Sequence, residues 1–325
     1  VNPWNPERWA GASSSGSGVA TALGLCFGSL GSDTGGSIRF PAAACGVVGL
    51  KPTWGRVSRY GVLALAESLD HVGPLTRSSA DAGIVLQAIA GQDDNTPTSL
   101  PDAVPDILAQ IGDGVKGIRI GLDEGYIGDG VDPQLSQAVL DGVKALEALG
   151  AQIVNVKMPD VDKYLPGWRV LCTAEALAAH REFYPSRRDD YGPYFSGWLD
   201  MGAKLTGADY AEANVLRNEC NGLVRLVFQD IDVLACPSTI APPHPVTLES
   251  LYGPRDENRG MAFQRFTVPY DFNGAPTLSL PCGLSSDGLP LGLQFVGKHL
   301  AEPLLCRIGN TYEQATNWNT LRPPV

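Results

Sequence analysis

The sequence has few residues that bind transition metals. Its histidines are far apart, and no HExxH motif or paired metal-ligand spacing occurs. The nucleotide-binding pattern GxxxxGK[ST] is missing as well, and no GxGxxG follows a predicted strand. Neither a metal site nor a cofactor is therefore expected. The four histidines are His71, His180, His244 and His299.

Cysteine pairs and long apolar runs are also missing. The seven cysteines are widely spaced without a CxxC motif, and several lie in apolar runs such as DVLACPS. This pattern predicts buried free thiols in a reducing compartment, and so a cytoplasmic protein. No apolar run is long enough to span a bilayer. The opening VNPWNPERW is unlike a signal peptide, so no membrane partner is expected.

Basic residues are scarce relative to acidic ones. Lysine and arginine number 24 against 35 aspartates and glutamates, a formal net charge of -11. A broad nucleic-acid surface needs clustered Lys and Arg. Direct nucleic-acid binding is therefore not expected, although delivery of the chain to RNA by a partner is not excluded. What is abundant is apolar: 44% of the residues are hydrophobic and 18% are charged, which predicts a globular fold.

Strand and helix patterns alternate in the middle of the chain. A strand over 117–124, an amphipathic helix over 131–150 and a strand over 151–159 form a βαβ unit. The predicted class is therefore α/β, with an at least partly parallel sheet. Two further strands, 277–283 and 289–297, are predicted to pair around the turn SSDG.

Residues 160–230 are expected to be mainly helical and are dense in aromatic side chains. Two interpretations of these aromatics stay open: helix–helix packing, or the lining of an apolar substrate cleft. A long Pro-rich loop is expected at 241–262, and it is the second candidate wall of a substrate pocket.

The most unusual stretch runs from Gly11 to Ser37, where more than half of the residues are Gly or Ser. Apolar residues interrupt it throughout, unlike a flexible linker. Its segment 28–41, GSLGSDTGGSIRFP, is predicted as loop and turn because the glycines are too dense for a helix or a central strand.

Backbone N–H groups of this segment suit an anion. Those of Thr34, Gly35, Gly36 and Ser37 would point into one concavity, fit for a phosphate or for the oxyanion of acyl transfer. The missing phosphate-loop motif favours acyl transfer. A GxSxG elbow is absent and His71 is the only histidine near in sequence. A Ser–Lys arrangement is therefore the alternative to a histidine base.

The segments GASSSGS and GSDTGGSIRFPAAACGVVGLKPT resemble the signature region of the amidase signature family. The similarity continues through GRVSRYGVLALAESLDHVGPLTRS, IDVLACPST, FNGAPTLSLPCG and GLPLGLQFVG, nearly the whole chain. It implies one amidase signature domain over 1–325, with a large mixed β-sheet covered by helices on both faces. The helical and loop insertion 160–262 is expected to line the substrate pocket.

The resemblance also implies roles for individual residues. Ser37 would be the nucleophile, and Ser13 would be a bridging serine that follows a non-proline cis peptide bond at Ala12. The N–H groups named above would form the oxyanion hole. Asp33 and Arg39 would shape the loop rather than react.

The third member of the family's triad is a lysine several dozen residues upstream of the bridging serine. The twelve residues before Ser13 include no lysine. We therefore expect the sequence to be N-terminally incomplete, with the base outside it. Lys51 in GLKPT also matches the family, but at a structural position.

Three functions are weighed on this resemblance. The expected one is a free-standing amidase for a small apolar or aryl amide, with esters and carbamates (urethanes) left open. The second is the glutaminase-type component of a tRNA-dependent amidotransferase. That component commonly has Gln where this chain has Phe40, and basic residues where this chain has PYFSGWLDMG at 193–202. A missing partner for a carboxylate argues against glutamine. The third is an inactive amidase-like scaffold, and a homodimer is left open.

Overall fold

A mixed eight-stranded sheet forms the centre of the molecule. The computed structural model describes residues 1–248, 250 and 261–324, so residues 249 and 251–260 of the predicted loop lie outside the described residues. The strands are β1 (Gly28–Asp33), β2 (Val48–Lys51), β3 (His71–Thr76), β4 (Arg119–Leu122), β5 (Gln152–Asn155), β6 (Val233–Pro237), β7 (Thr277–Leu284) and β8 (Pro290–Gly297). Their order in the sheet is β1-β3-β2-β7-β8-β6-β4-β5.

The described residues also form ten α-helices, several of them opened by a proline or a capping side chain. Ser78, for example, accepts a hydrogen bond from the Asp81 N–H at the start of α3. The helices are α1 (Ser15–Ala22), α2 (Arg39–Cys45), α3 (Ser79–Ile89), α4 (Glu124–Gly128), α5 (Pro133–Ala148), α6 (Leu165–Ala179), α7 (Pro193–Ala203), α8 (Gly207–Val227), α9 (Val268–Phe272) and α10 (Glu302–Thr316).

Strand directions confirm the two pairings predicted from the sequence. Strands β4 and β5 run parallel with α5 between them in the chain, so the βαβ unit is present. Strands β7 and β8 form the predicted antiparallel pair. The remaining neighbours are antiparallel except β4 and β6, which are parallel. The sheet is therefore mixed, as expected.

Helices cover both faces of the sheet, which confirms the expected architecture. A Cβ on Gly292 of β8 would lie 2.7 Å from Ala43 of α2, whereas the next residue, Leu293, lies against Gly142 of α5. Successive side chains of a strand point to opposite faces. Helix α2 and its neighbour α1 therefore cover one face, and α5 with α10 and α3 cover the other.

The prediction of loop and turn over 28–41 is wrong at both of its ends. Residues 28–33 form β1, and α2 begins at Arg39. Strand β1 is at the edge of the sheet, next to β3, and glycine is tolerated there. A Cβ on Gly31 would lie 2.7 Å from Ser14 Oγ, so the glycine allows the start of α1 to approach. Pro41 lies in the first turn of α2, where proline is accepted.

The aromatic residues of the helical region mainly pack helices together. Tyr164, Trp168, Tyr184 and Trp198 are buried, in line with the first of the two interpretations. Trp168 differs from the others because it also reaches the loop after β1. Among the described residues, no helix is long and apolar enough to cross a membrane.

Candidate active site

The two candidate serines lie on neighbouring segments. Ser13 precedes α1, and Ser37 lies in the turn between β1 and α2. The next residue, Ser14, joins these segments: its N–H donates to the Ser37 carbonyl at 3.3 Å, and its Oγ accepts from the Ser32 N–H at 3.2 Å. The first bond holds the residue after Ser13 against Ser37. Ser13 is exposed and Ser37 is half-buried.

The backbone just before Ser13 has the predicted conformation. The peptide bond between Ala12 and Ser13 is cis, which confirms that expectation. Gly11 has a φ of 84°, and a Cβ there would lie 2.4 Å from Pro41 backbone atoms. Only glycine combines this φ with so close an approach. The start of the Gly/Ser stretch is therefore pressed onto α2.

Asp33 organises the turn that carries Ser37. Its carboxylate accepts the Gly36 N–H at 2.7 Å and the Ile38 N–H at 3.0 Å. Arg39 donates to the same carboxylate through Nε at 3.0 Å and Nη2 at 2.8 Å. Burial alone would raise the pKa of Asp33, but the charge and hydrogen bonds of Arg39 hold that pKa well below its usual range. These are the contacts that a loop-shaping pair needs, although the role itself stays a prediction.

The free N–H groups of the turn differ from the expected set. The Gly36 N–H is occupied by Asp33. The N–H groups of Thr34, Gly35 and Ser37 have no hydrogen-bond acceptor within the described residues. The three unoccupied donors follow the last residue of β1, where an anion would meet them.

A second carboxylate reaches Arg39 from the other end of the chain. Asp271 of α9 lies 2.6 Å from Arg39 Nη2, and both side chains are fully buried. Burial raises the pKa of Asp271 well above its usual value, although the charge of Arg39 opposes that shift. Thr267, just before α9, donates through Oγ1 to the Gly35 carbonyl at 2.8 Å. Thr267 and Asp271 therefore both fix the turn through buried contacts.

Lys51 lies in this buried layer and is tied to the backbone. Its Nζ donates to the Ala275 carbonyl at 2.6 Å and to the Pro52 carbonyl at 3.4 Å. Burial lowers the pKa of Lys51 to about 7. Both of these bonds go to backbone oxygens rather than to a candidate serine, which agrees with a structural position.

Uncharged side chains fill the space into which a Cβ on either glycine of the turn would point. A Cβ on Gly35 would meet Trp168 at 2.5 Å and the amide of Gln264 at 3.1 Å, and one on Gly36 would meet the ring of Phe40 at 2.4 Å. The other side of Phe40 belongs to an apolar cavity of about 310 Å³, where its ring lies 5.7 Å from that of Trp9 and 5.5 Å from that of Phe263. Neither candidate serine lines this cavity.

Sequence reasoning missed several side chains that touch the turn: Trp168, Thr267 and Asp271. The last two contact residues 232 positions away in the chain. No local pattern reports such a distance.

Two serines beside a glycine turn with unoccupied N–H groups, on a mixed sheet between helical layers, are typical of hydrolases that act on acyl groups. The family model named Amidase matches residues 1–306. The chain belongs to the amidase family, and it is an enzyme that hydrolyses amide C–N bonds.

Two relatives from the family differ in the activity for which they are named. The Mycobacterium tuberculosis (strain ATCC 25618 / H37Rv) protein named "Putative amidase AmiD" is 43% identical over 327 residues, which cover 100% of this chain and 68% of that protein. The A subunit of the glutamyl-tRNA(Gln) amidotransferase of Thermosynechococcus vestitus is 39% identical over 350 residues, covering 100% of this chain and 72% of that protein.

Solved structures give the same fold. The 6-aminohexanoate cyclic dimer hydrolase has a TM-score of 0.89 at 29% identity, covering 99% of this chain and 71% of its own. A bacterial aryl acylamidase of the amidase signature family has a TM-score of 0.86 at 25% identity, covering 98% and 68%. The A subunit of the glutamyl-tRNA(Gln) amidotransferase of Thermotoga maritima has a TM-score of 0.85 at 33% identity, covering 99% and 70%.

Proposed function

We propose that the protein hydrolyses a small, uncharged apolar or aryl amide through an acyl-enzyme on Ser37. The observation that carries the proposal is the character of the turn's neighbours. A Cβ on Gly35 or Gly36 would meet Trp168, Gln264 or Phe40, none of which is charged. The charged side chains of the turn, Asp33 and Arg39, are fully buried and paired with each other. A carboxylate or ammonium group on the substrate would lose its hydration there without gaining an ion pair.

The proposed reaction uses the two serines one after the other. Ser37 Oγ attacks the amide carbon as its proton passes to Ser13 Oγ, whose own proton goes to a base. The carbonyl oxygen becomes an oxyanion among the free N–H groups of the turn. The C–N bond then breaks, the leaving amine takes up the proton, and water hydrolyses the Ser37 ester to release the acid.

The base is a lysine in the family that this chain resembles, and Lys51 does not suit that role. Both hydrogen bonds of its Nζ go to backbone carbonyls rather than to a serine. The proposed base is therefore a lysine other than Lys51.

Esters and carbamates remain substrates of the same proposal, because each also presents a carbonyl carbon that forms an acyl-enzyme. A cytoplasmic location is supported by the cysteines, all seven of which are free thiols.

The relatives support the substrate class only by analogy. Two of the similar solved structures are named for an aryl acylamide and for a cyclic dimer of 6-aminohexanoate. Other similar proteins are A subunits of glutamyl-tRNA(Gln) amidotransferases. The preference for a free-standing amidase rests instead on Phe40 and on the stretch 193–202, which offers no basic side chain to a substrate carboxylate.

The test compares two amides on the same preparation. We expect intact protein to release 4-nitroaniline from 4-nitroacetanilide faster than it releases ammonia from glutamine, with the Ser37→Ala variant inactive on both. Glutaminase activity that exceeds the aryl-amide activity would overturn the substrate assignment.

Glutamine hydrolysis is the second candidate, and one observation favours it. Arg169 follows Trp168 in α6, and its Nε is buried without a hydrogen-bond acceptor among the described residues. It lines a cavity of about 520 Å³ together with Met261 and Ala262. A substrate carboxylate would pair with such a guanidinium. Arg169→Ala should then abolish glutamine hydrolysis and leave 4-nitroacetanilide hydrolysis unchanged.

A further inference from the structure

The turn that holds Ser37 has a regular hydrogen-bond arrangement. In a trans peptide the carbonyl oxygen and the N–H point in opposite directions, so fixing one end of the group aims the other. Three peptide groups of the turn have an N–H without an acceptor among the described residues, on Thr34, Gly35 and Ser37. In each of them the carbonyl oxygen is held.

Two of those carbonyls are held by side chains from distant elements. His71 Nδ1 lies 3.1 Å from the Asp33 oxygen, which aims the N–H of Thr34. Trp168 Nε1 donates to the Thr34 oxygen at 2.7 Å, which aims the N–H of Gly35. The third carbonyl, on Gly36, accepts from a backbone N–H at the start of α2 at 2.7 Å, which needs no side chain.

The chemistry of both donors suits a fixed anchor. A carbonyl oxygen only accepts hydrogen bonds, so Nδ1 of His71 must carry the proton. Burial lowers the pKa of His71 well below its usual value, which keeps the ring neutral. Trp168 is buried, and its indole N–H is a donor under all conditions.

We infer that His71 and Trp168 are positioning residues of the oxyanion hole: each holds the carbonyl end of one peptide whose N–H stabilises the oxyanion. The inference rests on the proposed function, since it requires Ser37 to form a tetrahedral intermediate. It adds to that function two side chains that act through the backbone of the turn rather than on the reacting atoms.

Substitutions at His71 separate positioning from packing. Asparagine places an amide N–H near the Nδ1 position, whereas glutamine places it near Nε2. His71→Asn should keep the anchor, and His71→Gln should lose it at similar polarity. Trp168→Phe removes the other anchor's donor, together with part of the indole volume that packs against Gly35.

The readout is turnover per reactive serine. A fluorophosphonate titration of Ser37 counts intact sites, and hydrolysis of 4-nitroacetanilide then gives kcat and KM for those sites. We expect kcat to fall about tenfold or more in His71→Gln and Trp168→Phe, with KM within about twofold, because a donor needed only in the transition state is misaimed. His71→Asn should stay within about threefold of wild type.

A second measurement serves any variant with too few titrated sites. Binding of an aryl trifluoromethyl ketone, which forms a tetrahedral adduct, should weaken in parallel with kcat/KM in the folded variants. Unchanged kcat per site in both His71→Gln and Trp168→Phe would overturn the inference alone, as would equal losses in His71→Asn and His71→Gln. A wild-type protein whose Ser37 neither reacts nor turns over would refute the proposed function as well.

Discussion

Ser37 contributes several groups to the site at once. Its hydroxyl is the proposed nucleophile, its N–H is one of the unoccupied donors, and its carbonyl accepts the Ser14 N–H at 3.3 Å. This hydrogen bond links Ser14, the neighbour of Ser13, to the proposed nucleophile whose proton Ser13 would accept. A substitution that keeps the backbone of Ser37 tests the hydroxyl alone.

Removing either hydroxyl should stop hydrolysis while leaving the fold intact. We expect Ser37→Ala and Ser13→Ala to lower kcat on 4-nitroacetanilide by about 10³-fold or more, since members of a relay act as a unit. Ser15→Ala, two positions from Ser13 in the same serine run, is the matched control and should stay near wild type. Normal turnover in the Ser37 variant would be incompatible with the proposed nucleophile.

Arg39 and its two acidic partners are fully buried, so removing the guanidinium should lower the free energy of unfolding. Arg39→Met would leave the Asp33 carboxylate buried without its cation and Asp271 without its hydrogen-bond donor, and we expect the free energy of unfolding to fall by about 3–5 kcal/mol. Arg119 pairs with Asp232 at a similar 2.7 Å, but its side chain is 40% exposed. Arg119→Met should therefore cost only about 0–1 kcal/mol. Urea unfolding measures both, and equal losses would contradict the role of burial.

At the scale of elements, α3 and α10 meet without room for a methyl group. A Cβ on Gly309 of α10 would lie 2.2 Å from Ser79 Oγ of α3 and 2.5 Å from Leu278 of β7. Glu313, one helical turn further on, accepts the Ser79 hydroxyl at 2.7 Å and the Ser79 N–H at 2.8 Å. The two helices are thus held by a close approach and by a buried carboxyl group.

Gly309→Ala should separate these helices. We expect a loss of about 1–3 kcal/mol in the free energy of unfolding, as for other overpacked cores. Gly222→Ala in α8 is the matched control, because a Cβ there meets nothing within 4 Å. That control should gain up to about 1 kcal/mol from helix propensity. Thermal unfolding of both variants measures these changes. Unchanged stability of the Gly309→Ala variant would contradict the prediction, because it would show that the helices adjust to the added methyl group without loss.

For the whole molecule, Glu313 makes stability depend on pH. Burial raises its pKa from 4.5 to about 7 in the folded protein, so between those values the folded chain binds more protons than the unfolded chain. The contribution is complete below pH 4.5 and is lost progressively as the pH rises from there through 7, by about 3 kcal/mol. Subtracting the unfolding free energies of Glu313→Gln from those of wild type, pH by pH, should reveal this slope. A flat difference would show that Glu313 titrates normally.

The features that could be predicted from the sequence are those that depend on a local pattern of residues. The apolar spacing of 131–150 specified α5 and its flanking parallel strands, and the motif around Ser37 specified the turn. Strand β1 was missed because an edge strand tolerates the glycines that argued against it. The contacts of Thr267 and Trp168 with the turn were not predicted, because they depend on burial and on pairing between distant segments rather than on neighbouring residues.

The distance between Gly35 and Thr267, 232 residues, has a consequence for the order in which the chain is made. A ribosome releases the serine turn early, long before the partners of Gly35 and Arg39 exist. Contacts between such remote segments form late in folding because much loop entropy must be lost first. Until synthesis has passed α9, the growing chain therefore carries its serines without the contacts that Thr267 and Asp271 make with the turn.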